Sequence, residues 1–222
     1  MVLSDQEIKI ALGKDLEIEP FDEKSLQPAS YDLKVGKEAF VGGEIIDLGS
    51  NRFVRIERGD FAVLTTVETI HCGLSVTGKF GLRSYLARKG LVLLSGIQID
   101  PGYTGTLTAF VFNLGPEDVV IQYLEKFATV EFSRSSIPAS KGYDGPYQNQ
   151  IGIPMRDLES LVRGRHPMSI QRMQDELLKL ADRYRLLNRL TFTIIGSMVA
   201  IFIGLISFIF YLVNLLLPRL AN

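Results

Sequence analysis

The sequence predicts a mainly β domain, a barrel or sandwich, followed by a helical stalk and one membrane-crossing helix. Three observations carry this. Short apolar runs recur between glycine-bearing turns from Glu38 to Glu131, apolar residues fall on a heptad from Ile170, and the 29 residues from Leu190 to Pro218 include no charge. Many short strands at such spacing indicate an all-β architecture rather than alternating βα units. The expected divisions are a β domain over 1–158, a linker over 159–168, a stalk helix over 169–190, a membrane helix over 191–217 and a tail over 218–222.

In chain order, Ser4 or Asp5 can cap a short helix with Glu7 in its first turn. Leu16-Glu17-Ile18-Glu19 alternates as a strand and stops at Pro20, and a turn at Pro28 leads into a strand over Ser30–Gly36. Glu44–Leu48, Phe53–Ile56, Phe61–Thr66, Val119–Tyr123 and Phe127–Phe132 are further strand candidates. Gly81–Gly90 breaks the rhythm and predicts one short helix, with Leu82, Leu86 and Tyr85 inward. Arg83 and Arg88 would then face an anion, with Ser84 donating near the helix start, unless this is only a solvated surface helix. Tyr147–Gly152 offers amide side chains in an extended arm, which reads as a lid or as a plain linker.

Ile170, Met173, Leu177, Leu180, Tyr184 and Leu187 form an a/d seam, with Ser169 available as N-cap. It suits self-association, or an amphipathic helix lying on a bilayer or on the β domain. The uncharged run that follows exceeds the roughly 30 Å hydrocarbon core at about 1.5 Å per residue. Arg183, Arg185 and Arg189 precede it and only Arg219 follows, which places the N-terminal domain in the cytoplasm. Gly196, Ala200 and Gly204 fall four apart and allow close helix approach.

Composition removes several function classes. The net charge of −1 over 222 residues gives no argument for nucleic acid as a partner. One cysteine, Cys72, excludes an intramolecular disulfide and a multi-cysteine zinc site. His71 and His166 are the only imidazoles, and His71 belongs to a strand end rather than a catalytic relay.

The most informative stretch is Gly96-Ile97-Gln98-Ile99-Asp100-Pro101-Gly102-Tyr103-Thr104-Gly105. Pro101-Gly102 predicts a tight turn. A hairpin there would hold Asp100 at a strand end with Tyr103 across the bend, a fixed carboxylate beside a fixed ring. That pair suits a small-molecule site with a general base, and suits plain turn chemistry equally.

Five segments together resemble the trimeric dUTPase and dCTP deaminase superfamily. They are Leu3–Ile8 with Ile18–Phe21, Leu26–Leu33, Arg83–Arg88 (similar to RSSLAR), Gly96–Gly105 and Tyr147–Gly152. The resemblance covers residues 1 to about 155 and implies a distorted jelly-roll β-barrel, a homotrimer and nucleotide sites at subunit interfaces. It implies that Arg83 and Ser84, with Arg88 nearby, hold the phosphates of a pyrimidine deoxynucleoside triphosphate. Gly96, Ile97 and Ile99 would offer backbone groups to the base, and Tyr103 would pack on the deoxyribose. Tyr147 and Gln150 would cover the ligand. Asp100 matches the carboxylate that orients the attacking water in dUTPases, with Mg2+ carried on the phosphates and Asp32 in support through metal-bound water.

The chain also departs from the pattern. The glutamate that shuttles protons in the deaminases is replaced by Phe110, the second serine of the RSSLAR step by Tyr85, and a phosphate-binding lysine by Pro146. Losing a general acid or base costs about 10²–10⁴-fold in rate. The expectation is therefore a membrane-anchored deoxynucleotide-binding protein with Asp100-dependent hydrolysis of a dUTP-like substrate ahead of deamination. The alternatives are an inactive nucleotide sensor coupled to membrane helices and a structural trimer.

Overall fold

The structure, a computed structural model, describes residues 1–154, 156–158 and 170–220. It divides into two units, Met1–Gln171 and Arg172–Asn222.

The first unit opens with α1 (Asp5–Ala11). Ser4 caps it reciprocally: the Glu7 amide donates to Ser4 Oγ at 3.4 Å and the Ser4 amide to Glu7 Oε2 at 2.8 Å. Those bonds hold the Glu7 carboxyl below its ordinary range. Twelve strands follow: β1 (Leu16–Glu19), β2 (Leu26–Gln27), β3 (Ser30–Val41), β4 (Glu44–Asp47), β5 (Phe53–Ile56), β6 (Phe61–Cys72), β7 (Val76–Leu82), β8 (Leu91–Leu93), β9 (Gln98–Ile99), β10 (Thr104–Asn113), β11 (Val119–Gln122) and β12 (Lys126–Arg134). Two short helices interrupt them, α2 (Leu48–Asn51) and α3 (Ser84–Arg88).

The main path of the antiparallel sheet is β8-β10-β6-β3-β12-β7-β9, with β1 added on β6 and β2 and β4 on β3, while β5 and β11 pair separately. Its curl comes from strands that change partners. The first half of β3 pairs with β12 through Tyr31–Lys34, and the second half pairs with β6 through Val35–Val41. Gly36 sits at that switch, where a Cβ would lie 2.6 Å from the Thr66 carbonyl oxygen, so only glycine lets the two backbones approach. Tyr31, Leu64, Ile70, Phe127 and Phe132 are fully buried in the core, each contributing roughly 1.5–3 kcal/mol by leaving water. Cys72 is buried there too, which pushes its thiol up to about 12 and leaves it unreactive.

Gly81–Gly90 does not become one helix. Leu82 stays in β7, opposite Ala128 of β12, and the helix starts only at Ser84. Sheet pairing outweighs local helical preference up to the last ladder position.

The second unit is built on α4 (Ile170–Leu220), one helix of 51 residues that runs through both the expected stalk and the expected membrane stretch. No proline or glycine lies between Ile170 and Thr193 to break it. Within Asp175–Phe210 an 18-residue window reaches a mean hydropathy of 2.4, so this helix is long and apolar enough to cross a membrane. Thr191, Thr193, Ser197 and Ser207 donate their hydroxyls at 2.9 Å to carbonyls four residues earlier, so these polar groups need no water. Ser169 and the linker 159–168 lie outside the described residues.

One buried carboxyl sets a pH dependence. Glu68 is 1% exposed, its Oε2 accepts the Lys34 amide at 2.9 Å, and its Oε1 has no partner among the described residues. Burial raises its pKa above the ordinary 4.5. The folded chain then binds more protons than the unfolded one between those two values, so stability is fully present below 4.5 and falls as pH rises through the interval. Glu68→Gln should flatten the decline in melting temperature from pH 4.5 towards neutrality, measured by thermal denaturation of the full chain in detergent.

Candidate functional site

The predicted turn forms. The Tyr103 amide donates to the Asp100 carbonyl at 3.2 Å across Pro101-Gly102, and Gly102 takes φ +82°, the positive value that the third position of a type II turn requires. The flanking strands do not form a hairpin. β9 pairs with β7, through Gly78 opposite Ile99, whereas β10 pairs with β6, through Thr104 opposite His71. The turn therefore joins strands that are far apart in the sheet path.

A cavity of about 400 Å3 opens at this join. β9 and the residues before it supply Gly96 and Ile99, the turn supplies Asp100 and Tyr103, and β10 supplies Thr106, Thr108 and Phe110. Asp100 is placed by Gln98, whose Nε2 donates to Oδ1 at 2.6 Å. Tyr103 is buried, packs edge-on against Tyr143 with centroids 5.6 Å apart, and donates its hydroxyl to the Thr106 carbonyl at 2.7 Å. Burial raises its pKa well above the ordinary 10, so it remains a neutral, fixed ring.

The arm Tyr147–Gly152 lies along β10. The Asn149 amide donates to the Thr104 carbonyl at 2.7 Å, and the Thr106 amide to the Gln150 carbonyl at 2.9 Å. Gln150 lines the cavity and donates its side-chain amide to Thr108 Oγ1. Tyr147 also lines it, carrying the Arg156 guanidinium 4.3 Å above its ring and donating to Asp157 Oδ1 at 3.4 Å. Gly105 permits this docking. It has φ +150°, and a Cβ there would meet Tyr103 Oη at 2.8 Å and both Gln150 backbone N and O at 2.9 Å.

The remaining expected residues sit elsewhere in the chain. Arg83 precedes α3 and pairs with Asp32 of β3, which is 4% exposed and also accepts from Gln27 Nε2 at 3.2 Å, with Lys126 Nζ at 3.8 Å. Ser84 and Arg88 are exposed on α3. Ile97 is half exposed and does not line the cavity, and its carbonyl is occupied by the Phe80 amide at 2.8 Å. The Ile99 carbonyl likewise accepts the Thr77 hydroxyl at 2.8 Å. Tyr85, in place of a serine, turns its hydroxyl to Glu125 Oε1 at 2.5 Å. Burial, then this carboxylate, raises its pKa well above 10.

Sequence reasoning missed Phe80, Tyr143 and Asp157 as cavity residues. Phe80 faces Ile97 only through the β7–β9 contact, and Tyr143 reaches the turn through its amide bond to the Pro101 carbonyl at 2.7 Å. No local motif announces either. Phe110 lines the cavity wall, where it lies opposite Val63 of β6 and packs on Phe61 with ring centroids 5.9 Å apart.

The fold and these motifs have known relatives. The matching family is dCTP deaminase-like, over residues 2–135. The dCTP deaminase of Pyrococcus abyssi is 40% identical over 153 residues, covering 69% of this chain and 96% of that protein. The dCTP deaminase of Thermococcus gammatolerans is 43% identical over 155 residues, covering 70% and 96%. A probable deoxyuridine 5'-triphosphate nucleotidohydrolase of Sulfolobus islandicus rod-shaped virus 1 is 32% identical over 156 residues, covering 70% and 98%. Among solved structures, 2'-deoxycytidine 5'-triphosphate deaminase from Agrobacterium tumefaciens superposes with a TM-score of 0.52 at 20% identity. It covers 60% of this chain and 48% of that one, a likeness of fold. With more than half of its length matched, this chain belongs to the dCTP deaminase-like family.

Proposed function

We propose that the chain binds a pyrimidine deoxynucleoside triphosphate in this cavity as a homotrimer, held at a membrane by α4 with its β domain in the cytoplasm. The observation that carries the reading is the gathering of Asp100, Tyr103, Tyr147 and Gln150 around one cavity while Arg83 and Ser84 lie outside it. A site with a base-and-sugar wall and no cationic side chain among its described lining residues is completed when a neighbouring copy brings Arg83, Ser84 and Arg88 to the phosphates. Tyr103, neutral and immobilised, presents a flat wall on which a deoxyribose packs and a 2'-hydroxyl would be crowded. The excess of Arg183, Arg185 and Arg189 before the apolar run, against Arg219 after it, supports the cytoplasmic placement.

Phe110 determines which chemistry the cavity supports. A phenyl ring neither gives nor takes a proton, so position 110 of the cavity wall supplies no group for the proton transfers of deamination. Asp100 can still accept a proton from water attacking the α-phosphorus, with pyrophosphate leaving and the monophosphate released. Magnesium fits as a passenger on the triphosphate, where it neutralises phosphate charge. Asp32 is already held by Arg83 and Gln27, and no group of three or more metal-ligating side chains is gathered among the described residues. Phe110 and Pro146 favour a second reading, a sensor that binds without turnover.

Calorimetry of the full chain in detergent with dUTP, dCTP and dTTP should show at least micromolar binding; no heat with any of them would leave only a structural trimer. Pyrophosphate release lost by about 10²–10⁴-fold in Asp100→Asn, with affinity kept, identifies hydrolysis, binding without release identifies sensing, and ammonia from dCTP would refute the role given to Phe110. Arg83→Ala should weaken binding and also destabilise the fold, by on the order of 2 kcal/mol, because it strands the buried Asp32 carboxylate. Adding Asp32→Asn should restore the melting temperature but not the affinity. Gly105→Ala should dislodge the Gln150 arm and weaken nucleotide binding about tenfold, equivalent to ~1.4 kcal/mol.

A further inference from the structure

Phe110 has a second set of neighbours. Its side chain is on the face of β10 opposite the core-facing Ala109 and Val111, in a cross-strand row with Val63 of β6 and Phe40 of β3. Ile153 and Leu158, 6% and 3% exposed, cover that row together with Phe61 and form an apolar cluster separate from the main core. The covering segment is pinned at one end, where the Ile153 amide donates to Glu38 Oε2 at 3.0 Å, and it turns back on itself through the Asp157 amide to the Pro154 carbonyl at 3.0 Å. Asp157, between these contacts, also lines the cavity. The same ring is thus both cavity wall and floor of the seat for residues 153–158. A glutamate at this position would have to be desolvated under Leu158, which burial without a partner opposes.

We infer that Phe110 couples occupancy of the cavity to the seating of residues 153–158, the segment that leads in sequence through 159–169 to α4. A nucleotide base packed on the ring fixes its position and firms the apolar seat, and a firm seat in turn holds the cavity wall in its binding shape. Replacement of the deaminase carboxylate therefore creates an apolar link between the pocket and the C-terminal segment as well as removing an acid. The inference rests on the nucleotide-binding reading above.

The test is hydrogen exchange and calorimetry on the full chain in detergent, with saturating dUTP, dCTP and dTTP in turn. A bound nucleotide should slow exchange at the Ile153, Asp157 and Leu158 amides. By reciprocity Leu158→Ser, a change outside the cavity lining, should weaken nucleotide affinity about fivefold. Binding with unchanged or faster exchange over 153–158, or wild-type affinity in a cooperatively folded Leu158→Ser, overturns the coupling and leaves nucleotide binding standing. Absence of binding by all three nucleotides overturns both. Should Leu158→Ser not fold, the exchange of the unaltered chain decides alone.

Discussion

The cavity depends on one crossing. Between Ile99 and Thr104 the chain must pass from β9, bonded to β7, to β10, bonded to β6, strands that are far apart in the sheet path. Pro101 and Gly102 make the crossing in four residues, with Gly102 supplying the positive φ and the close approach to Gly142 that any side chain would block. Because both ends of the turn are anchored in ladders, Asp100 and Tyr103 inherit the rigidity of the sheet. Groups held that way need little reorganisation on meeting a ligand.

Around that anchor the cavity combines polar and apolar walls. Asp100, Tyr103 and Gln150 hold their positions, while Phe110 gives the cavity an apolar wall and shares that ring with the outer cluster of Phe40, Val63, Ile153 and Leu158. An acid would favour water beside it, and the phenyl group favours packing. The ring therefore joins the cavity wall to the apolar cluster that Ile153 and Leu158 complete.

The ion pairing of Asp32 shows how a buried carboxylate gathers its partners. Its carboxylate is 4% exposed and would be costly alone, so Arg83, Gln27 and Lys126 are drawn to it. Arg83 remains about one-third exposed while so paired. Its guanidinium has five donors in a planar fork and can serve the carboxylate and an incoming phosphate together.

Local chemistry alone determined much of this protein. The Ser4–Glu7 cap, the alternation of Leu16 to Glu19, the turn at Pro101-Gly102 and the uncharged run from Leu190 are legible because each is decided by residues within a few positions of one another. The tertiary structure alone decided that β9 and β10 do not form a hairpin, that Leu82 stays in a strand, and that Phe80, Tyr143 and Asp157 join the cavity wall. It also decided that Arg83 serves Asp32 fifty-one residues away, and that Phe110 meets Leu158. Those outcomes follow from the partner exchange of β3 and the closure of the sheet, which are set by long-range burial and backbone pairing rather than by any local propensity.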